Sequence, residues 1–162
     1  MRGRQRRHDA VTAPIFRRAR ADDLPAIVAM LADDVLGQAR EDARLPLDRC
    51  YTEAFAAIDR DPNQLLAVAE SAGTLVGCLQ LSFMPGLSRR GMWRGQIESV
   101  RIAAAQRGGG LGRAMFEWAF AECRARGCGL VQLTTDKTRP DALGFYTALG
   151  FVASHEGLKR TL

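Results

Sequence analysis

Gln106-Arg107-Gly108-Gly109-Gly110-Leu111-Gly112-Arg113 is the stretch on which the reading of the fold turns. It stands between a strand-like run, Gln96 to Ala103, and an amphipathic run, Leu111 to Arg126, whose Leu111, Ala114, Met115 and Trp118 share one helical face. Glycines at such a junction let the main chain approach a ligand closely. Successive N–H groups at a helix N-terminus then form an anion nest. Arg107 and Arg113 add positive charge, so phosphate is the natural guest. An ATP-type loop requires Lys and then Ser or Thr after its second glycine, and Arg113-Ala114 follows Gly112 instead. A dinucleotide fingerprint begun at Gly108 or at Gly110 requires its third glycine where Arg113 or Met115 stands. Both of those ligands are excluded. On this motif alone, a flexible turn with no ligand remains the alternative.

Working outward, Gly127 and Gly129 end the helix, Leu130 to Thr135 reads as a strand, and Asp141 to Leu149 reads as a short helix. A last strand is expected from Phe151 onward. On the N-terminal side, a loop runs from Pro85 to about Gly91. Gln64 to Ala69 and Leu75 to Phe83 are strand-like runs joined by Glu70-Ser71-Ala72-Gly73, a hairpin turn. Ahead of them, Ile15 to Arg18 predicts a short strand. A helix follows from about Asp22, with two acids and Pro25 in its first turn and Leu24, Ile27, Val28 and Leu31 at helical spacing. Residues 34 to 46 read as a loop, and a second helix over Leu47 to Asp59 is stopped by Asp61-Pro62-Asn63. The order β, α, α, β, β, β, α, β, α, β is an α/β (α+β) arrangement with an antiparallel front half and a βαβ back half.

The 162 residues suit one compact domain, here 15–162, behind a flexible basic tail over 1–14. Apolar residues at 47% and charged residues at 25% exclude a disordered chain. No apolar run approaches the roughly 20 residues that span a bilayer. The Arg-rich N-terminus has neither the apolar stretch nor the cleavage site of a secretory signal, so a cytoplasmic location is expected, with no membrane partner. Cys50, Cys78, Cys123 and Cys128 form no CxxC pair, so neither a zinc site nor a disulfide framework is expected, and no metal is assigned. The net charge of +5 is uneven, with Arg2, Arg4, Arg6, Arg7, Arg17, Arg18 and Arg20 early and an acidic stretch from Asp33 to Asp61. No basic surface interleaved with aromatics accompanies the tail, so the bland reading, a solvated leader, outweighs nucleic-acid binding.

With its flanks, the glycine segment resembles the GNAT superfamily of N-acetyltransferases. The family loop Arg/Gln-x-x-Gly-x-Gly/Ala is met by Arg107, Gly110 and Gly112. Ile97-Glu98-Ser99-Val100-Arg101-Ile102 is similar to its central strand, and Ala142-Leu143-Gly144-Phe145-Tyr146-Thr147-Ala148-Leu149-Gly150-Phe151 resembles its A-x-x-F-Y-x-x-x-G-F signature. The resemblance implies a mixed, mostly antiparallel central sheet with helices on both faces, in which two neighbouring parallel strands splay apart. Acetyl-CoA would be the acyl donor, its pantetheine arm lying along Val100, Arg101 and Ile102. Its pyrophosphate would rest on Gly108, Gly109, Gly110, Leu111, Gly112 and Arg113, with Arg107 nearby. Arg139 occupies a place where many relatives have Asn, so a guanidinium contact replaces the usual amide one.

Amine acylation requires a deprotonated amine, a polarised carbonyl and a proton for the departing thiolate. By resemblance, Tyr146 is the proton donor. Glu98, in an apolar-rich strand, is the candidate base, with partial desolvation expected to assist it and a salt bridge to Arg94 or Arg101 as the structural alternative. Trp93 and Trp118 read as core or dimer surface, and His155 as a structural residue. The acidic stretch from Asp33 to Asp61 suggests a cationic amine acceptor, small or peptidic, and a solvated surface explains it equally well. Dimers are common in the family, and a homodimer is one assembly the resemblance allows. A domain that senses acyl-CoA without turnover is the alternative to an enzyme.

Overall fold

The computed structural model describes residues 13–33 and 37–162. The arginines of the N-terminal tail up to Arg7, and Asp34 of the acidic stretch, lie outside the described residues. The sheet has five strands in the order β1 (Ile15–Arg18), β2 (Gln64–Ser71), β3 (Thr74–Met84), β4 (Trp93–Ile102) and β5 (Cys128–Leu133). The first three pairings are antiparallel and β4 pairs with β5 in parallel. The β2–β3 hairpin closes on Ala72 and Gly73, both at positive φ (48° and 77°), the backbone that a two-residue hairpin turn demands.

Helices cover both faces, as the resemblance implies. Leu66, Val68 and Cys78 pack on one side with Ile27 of α1 (Leu24–Ala32) and with Phe55 and Ile58 of α2 (Arg49–Arg60). On the other side Leu65, Ala67, Leu79, Leu81 and Ile97 meet Leu111, Met115, Phe116 and Ala119 of α4 (Leu111–Ala125). Alternate residues of β2 therefore serve opposite layers, which is why that strand reads as a continuous apolar run. A parallel pair requires a crossover, and α4 supplies it between β4 and β5. Gly95 on β4 is obligatory for this contact, because a Cβ there would collide with Cys123 of α4. A single distorted turn, α3 (Ser88–Gly91), precedes β4, and α5 (Pro140–Ala148) follows β5.

Two readings of the sequence need correction. Phe151 onward is not a strand, and the sheet ends at β5. Phe151 is held instead by its N–H, which donates to the Tyr146 carbonyl (3.1 Å), and by its ring against Phe116, Phe120 and Tyr146. Past that anchor, Ser154-His155-Glu156-Gly157 offers no alternating apolar face, and Val152 and Leu158 are exposed. The first helix also begins later than Asp22: a single 3-10 turn, Ala21–Asp23, leads into α1. Trp118 stacks on Phe16 (5.8 Å between centroids) and Trp93 packs on the core, so neither is a ligand platform.

Arg17 ties three elements together. Its guanidinium donates to both carboxylate oxygens of Asp23 (2.7 and 3.0 Å) and to Glu70 of β2 (2.9 Å). Asp23 also accepts the Arg20 N–H (2.7 Å), fixing the entry to α1. The Arg17 guanidinium holds the Asp23 carboxyl below its ordinary 3.8. That stabilisation is complete above the ordinary carboxylate range and is lost as pH falls through the lower folded value. Asp23→Ala is expected to lower unfolding free energy by about 2 kcal/mol, the scale of a half-buried charged hydrogen-bond pair. Denaturant melts at pH 7 and pH 2 check this: the deficit should shrink in acid, and an equal deficit at both would refute it.

Candidate active site

The pairing of β4 with β5 begins at Trp93↔Cys128, shifts register once, runs from Arg94↔Leu130 to Ile97↔Leu133 and stops there, while β4 continues to Ile102. The cause lies on the other edge of β4. Cys78 faces Arg101 and Gln80 faces Glu98, so Ser99 and Val100 together oppose the single residue Leu79. This bulge strengthens the local twist and swings the end of β4 away from β5. Ser99 sits at φ 54°, a strained backbone for a residue with a side chain. The opened gap is a cleft of about 450 Å³, with Val100, Arg101, Ile102 and Arg107 on one wall and Thr138, Arg139, Asp141 and Ala142 on the other.

The glycine turn closes one end of that region. Gly108 (φ 78°) and Gly110 (φ 84°) adopt left-handed backbone, and a Cβ at either would meet nothing within 4 Å. Glycine is therefore needed there for its backbone, and the space in front stays open. Gly110 caps α4, its carbonyl accepting from Ala114 (3.0 Å), so the first N–H groups of α4 lack intrahelical partners. An anion fits such a turn by dipole and by donors.

The arginines divide. Arg107 spans from the Ile102 carbonyl (3.1 Å) to Asp33 at the end of α1 (3.5 Å), and Arg101 donates to the Val100 carbonyl (2.9 Å). Both thus hold main-chain acceptors on the edge that an added strand would use. Each carbonyl has a second lone pair, so occupation does not block the edge. Arg113 points elsewhere, donating to the Ala148 carbonyl at the end of α5 (3.3 Å). Arg139 borders the cleft directly. Thr138, Asp141 and Ala142 were not singled out by sequence reasoning. Asp136 accepts from the Thr138 N–H and hydroxyl (2.9 and 2.7 Å), a turn that sets this wall and is visible in sequence as Asp-x-Thr before a helix.

Residues 24–151 match the model of the Acetyltransferase (GNAT) family. The chain belongs to that family. It is similar to the aminoalkylphosphonate N-acetyltransferase of Salmonella typhimurium, 28% identical with 93% of each chain covered. It is also 32% identical to glucosamine 6-phosphate N-acetyltransferase of Trypanosoma brucei brucei over 57% of this chain and 61% of that one. Among solved structures, a transcriptional regulator from Bacillus halodurans is 50% identical, with a TM-score of 0.90 over 92% of this chain and 99% of that one. The protein is thus a GNAT acetyltransferase, and the family's acyl donor is acetyl-CoA. The cleft, the glycine turn and the arginines at its mouth suit the arm and phosphates of that donor.

In this acetyltransferase, Tyr146 of α5 packs its ring against Phe116 (5.7 Å) and Phe151 (6.0 Å). Burial pushes its phenol above the ordinary 10, opposed by the nearby charges of Arg139 and Arg101, both of which line the cleft. The hydroxyl therefore stays protonated at neutral pH and lies within the field of the cleft wall. Glu98 differs from the sequence reading. It is exposed, and no ion pair joins it to Arg94 or Arg101 among the described residues, so neither the expected burial nor the salt bridge is present. His155 is exposed and its Nδ1 lies 2.8 Å from the Ser154 hydroxyl. Cys78 and Cys123, pushed up to about 12 by burial, are inert packing thiols.

Most carboxylates of the acidic stretch are spent locally. Asp33 meets Arg107, Asp42 meets Arg44, Glu53 meets Arg49 and Asp59 meets Arg18. Glu41 accepts from Tyr51, and Asp48 caps α2. Four of these carboxylates have arginine partners, while Glu41 and Asp48 bond to neutral donors. No helix among the described residues is long and apolar enough to cross a membrane.

Gly110→Ala forces an alanine into left-handed backbone at a cost of roughly 1–2 kcal/mol. It is expected to weaken acetyl-CoA binding about tenfold by calorimetry. Gly112→Ala, inside α4 with Phe145 at a comfortable 3.4 Å, should leave thermal stability unchanged or raised. Wild-type affinity in Gly110→Ala would remove the turn from the phosphate site.

Proposed function

We propose that this enzyme transfers the acetyl group of acetyl-CoA to the primary amine of a small molecule. The observation that carries the reading is the gap between β4 and β5 beyond Ile97 and Leu133, with the left-handed glycine turn beside it. Two relatives named for small-amine acceptors, an aminoalkylphosphonate and glucosamine 6-phosphate, support that acceptor class.

The donor supplies an activated acyl carbon and a thiolate leaving group. The residues of the chain do the rest. Val100 and Ile102 offer main-chain groups to the arm, and the N–H of one of them, past the bulge at Ser99, polarises the carbonyl. Glu98, exposed beside that bulge, takes the amine proton directly or through water. The amine nitrogen bonds to the acyl carbon, the carbon–sulfur bond breaks, and the Tyr146 hydroxyl gives its proton to sulfur. The phenolate is then reprotonated from solvent. The arginines of both walls, Arg101 and Arg139, favour that transient phenolate.

Tyr146→Phe is expected to lower kcat by about 10²-fold, the lower end for a lost general acid, with acetyl-CoA affinity unchanged. Because the acid form is required and burial raises the phenol, wild-type kcat should fall only above about pH 10. The variant should lose that limb. Full turnover in Tyr146→Phe, or the same alkaline limb in both proteins, would reassign the acid.

A further inference from the structure

The sheet face that carries Leu66, Val68 and Cys78 beneath α1 and α2 changes character toward the start of β2. The register places Gln64 opposite Ser82, Ser82 opposite Gln96, and Gln96 opposite Gln132. Four adjacent strands, β2 to β5, therefore carry uncharged polar side chains in one row of one face. In the next row Gln80 stands opposite Glu98. The row is hydrogen-bonded within itself. Gln80 and Ser82 both donate to the Gln64 side-chain oxygen (3.0 and 2.9 Å), and Gln132 donates to the Gln96 oxygen (2.8 Å).

These bonds orient the row and leave capacity for a ligand. A carboxamide carries two donors and two lone pairs. Among the described residues the Gln64 and Gln96 NH₂ groups and the Gln80 and Gln132 oxygens bond to no other side chain. All five side chains of this band are half-buried and Glu98 is exposed, so the band is reachable. It also has a definite place. Gln96 and Gln132 form the penultimate rung before β4 and β5 part, and Glu98 is the first β4 residue past the last rung. An amine presented at Glu98 can lay its remaining atoms over this band.

The chemistry of the band selects the ligand. Its five side chains are uncharged, with Glu98 beside them and Arg94 and Arg101 in the flanking rows of the same face. It offers both donors and acceptors, and neighbouring side chains stand about 7 Å apart along a strand and about 5 Å apart between strands. Those spacings match the hydroxyls of one hydrated ring or a short polyol. We infer that the acceptor is a hydroxylated amine, of the amino-sugar or amino-polyol class, whose hydroxyls are read by Gln80, Ser82, Gln96 and Gln132 while its nitrogen meets Glu98. This inference rests on the N-acetyltransferase reading above and specifies its acceptor.

Two measurements separate the inference from that reading. In thiol-release kinetics with acetyl-CoA, glucosamine should exceed cyclohexylamine, its size-matched ring without hydroxyls, by at least about 10²-fold in kcat/KM. Calorimetry of glucosamine binding to the CoA-loaded enzyme reads the band without any turnover. Gln132→Leu and Gln96→Leu should each weaken glucosamine binding about tenfold and leave acetyl-CoA affinity as it was. Gln132→Glu, which keeps an acceptor and the shape, should retain more affinity than Gln132→Leu. Equal rates for the two amines, or glucosamine binding unmoved by both leucine variants, overturns the carboxamide band. Acetyl-CoA binding with no thiol release from any amine, alongside band-dependent glucosamine binding, instead overturns the catalytic reading alone.

Discussion

The one-residue mismatch between β3 and β4 is the constraint on which the site depends. Where Ser99 and Val100 share the single partner Leu79, the ladder on that edge is interrupted and β4 turns. β4 and β5 are paired up to Leu133, the last residue of β5; without that turn the chain after Leu133 could go on pairing with β4, and a closed sheet has no room for a ligand arm. The strain of Ser99 at positive φ is held in place by strong neighbours: β3 is buried along most of its length, and Ile97 just before the bulge is buried against α4. The bulge is also why the cleft needs no domain interface or hinge. A local fault in one strand makes an opening between two.

Around that opening, arginines serve as much for architecture as for binding. Arg17 joins β1, the start of α1 and β2. Arg107 joins the end of β4 to the end of α1, and Arg113 joins α4 to the C-terminus of α5. The last two lie in the glycine segment proposed to hold the donor's phosphates, and both stiffen the turn by gripping carbonyls. Their charges still add to the local potential, but the dedicated donors at the turn are main-chain N–H groups. The same local pairing engages part of the acidic stretch, whose carboxylates include partners of Arg44, Arg49 and Arg107.

Much of this was legible in the residues. The strand, glycine turn and amphipathic helix around Gly110 appear where periodicity and glycine spacing put them, and so does the β2–β3 hairpin. The signature ending in Gly150-Phe151 correctly marks α5, but it does not make a strand of the residues after Phe151. That phenylalanine is apolar because it plugs a cluster of aromatic rings, and one anchored residue mimics the first position of a strand. Glu98 shows a different limit. An apolar-rich strand predicts desolvation only when both faces are covered, and coverage is a tertiary fact. The gap beside Glu98 depends on the bulge opposite Leu79 and on where β5 ends, and no window centred on Glu98 contains both.

The carboxamide band was missed for a related reason. Gln64, Gln80, Gln96 and Gln132 are scattered along the chain and each reads singly as an ordinary polar position. Only the register of three strand pairs lines them up. A sheet face open to water has no need of uncharged amides bonded to each other, since lysine, threonine or glutamate would serve solubility as well. Ordering several glutamine side chains also costs rotamer entropy that hydrogen bonds in water hardly offset. Such a row is therefore more easily understood as a template than as a surface. On the proposed reading the bulge divides the labour along β4: main-chain groups beyond it would serve the donor and side chains before it the acceptor, with Glu98 at the boundary.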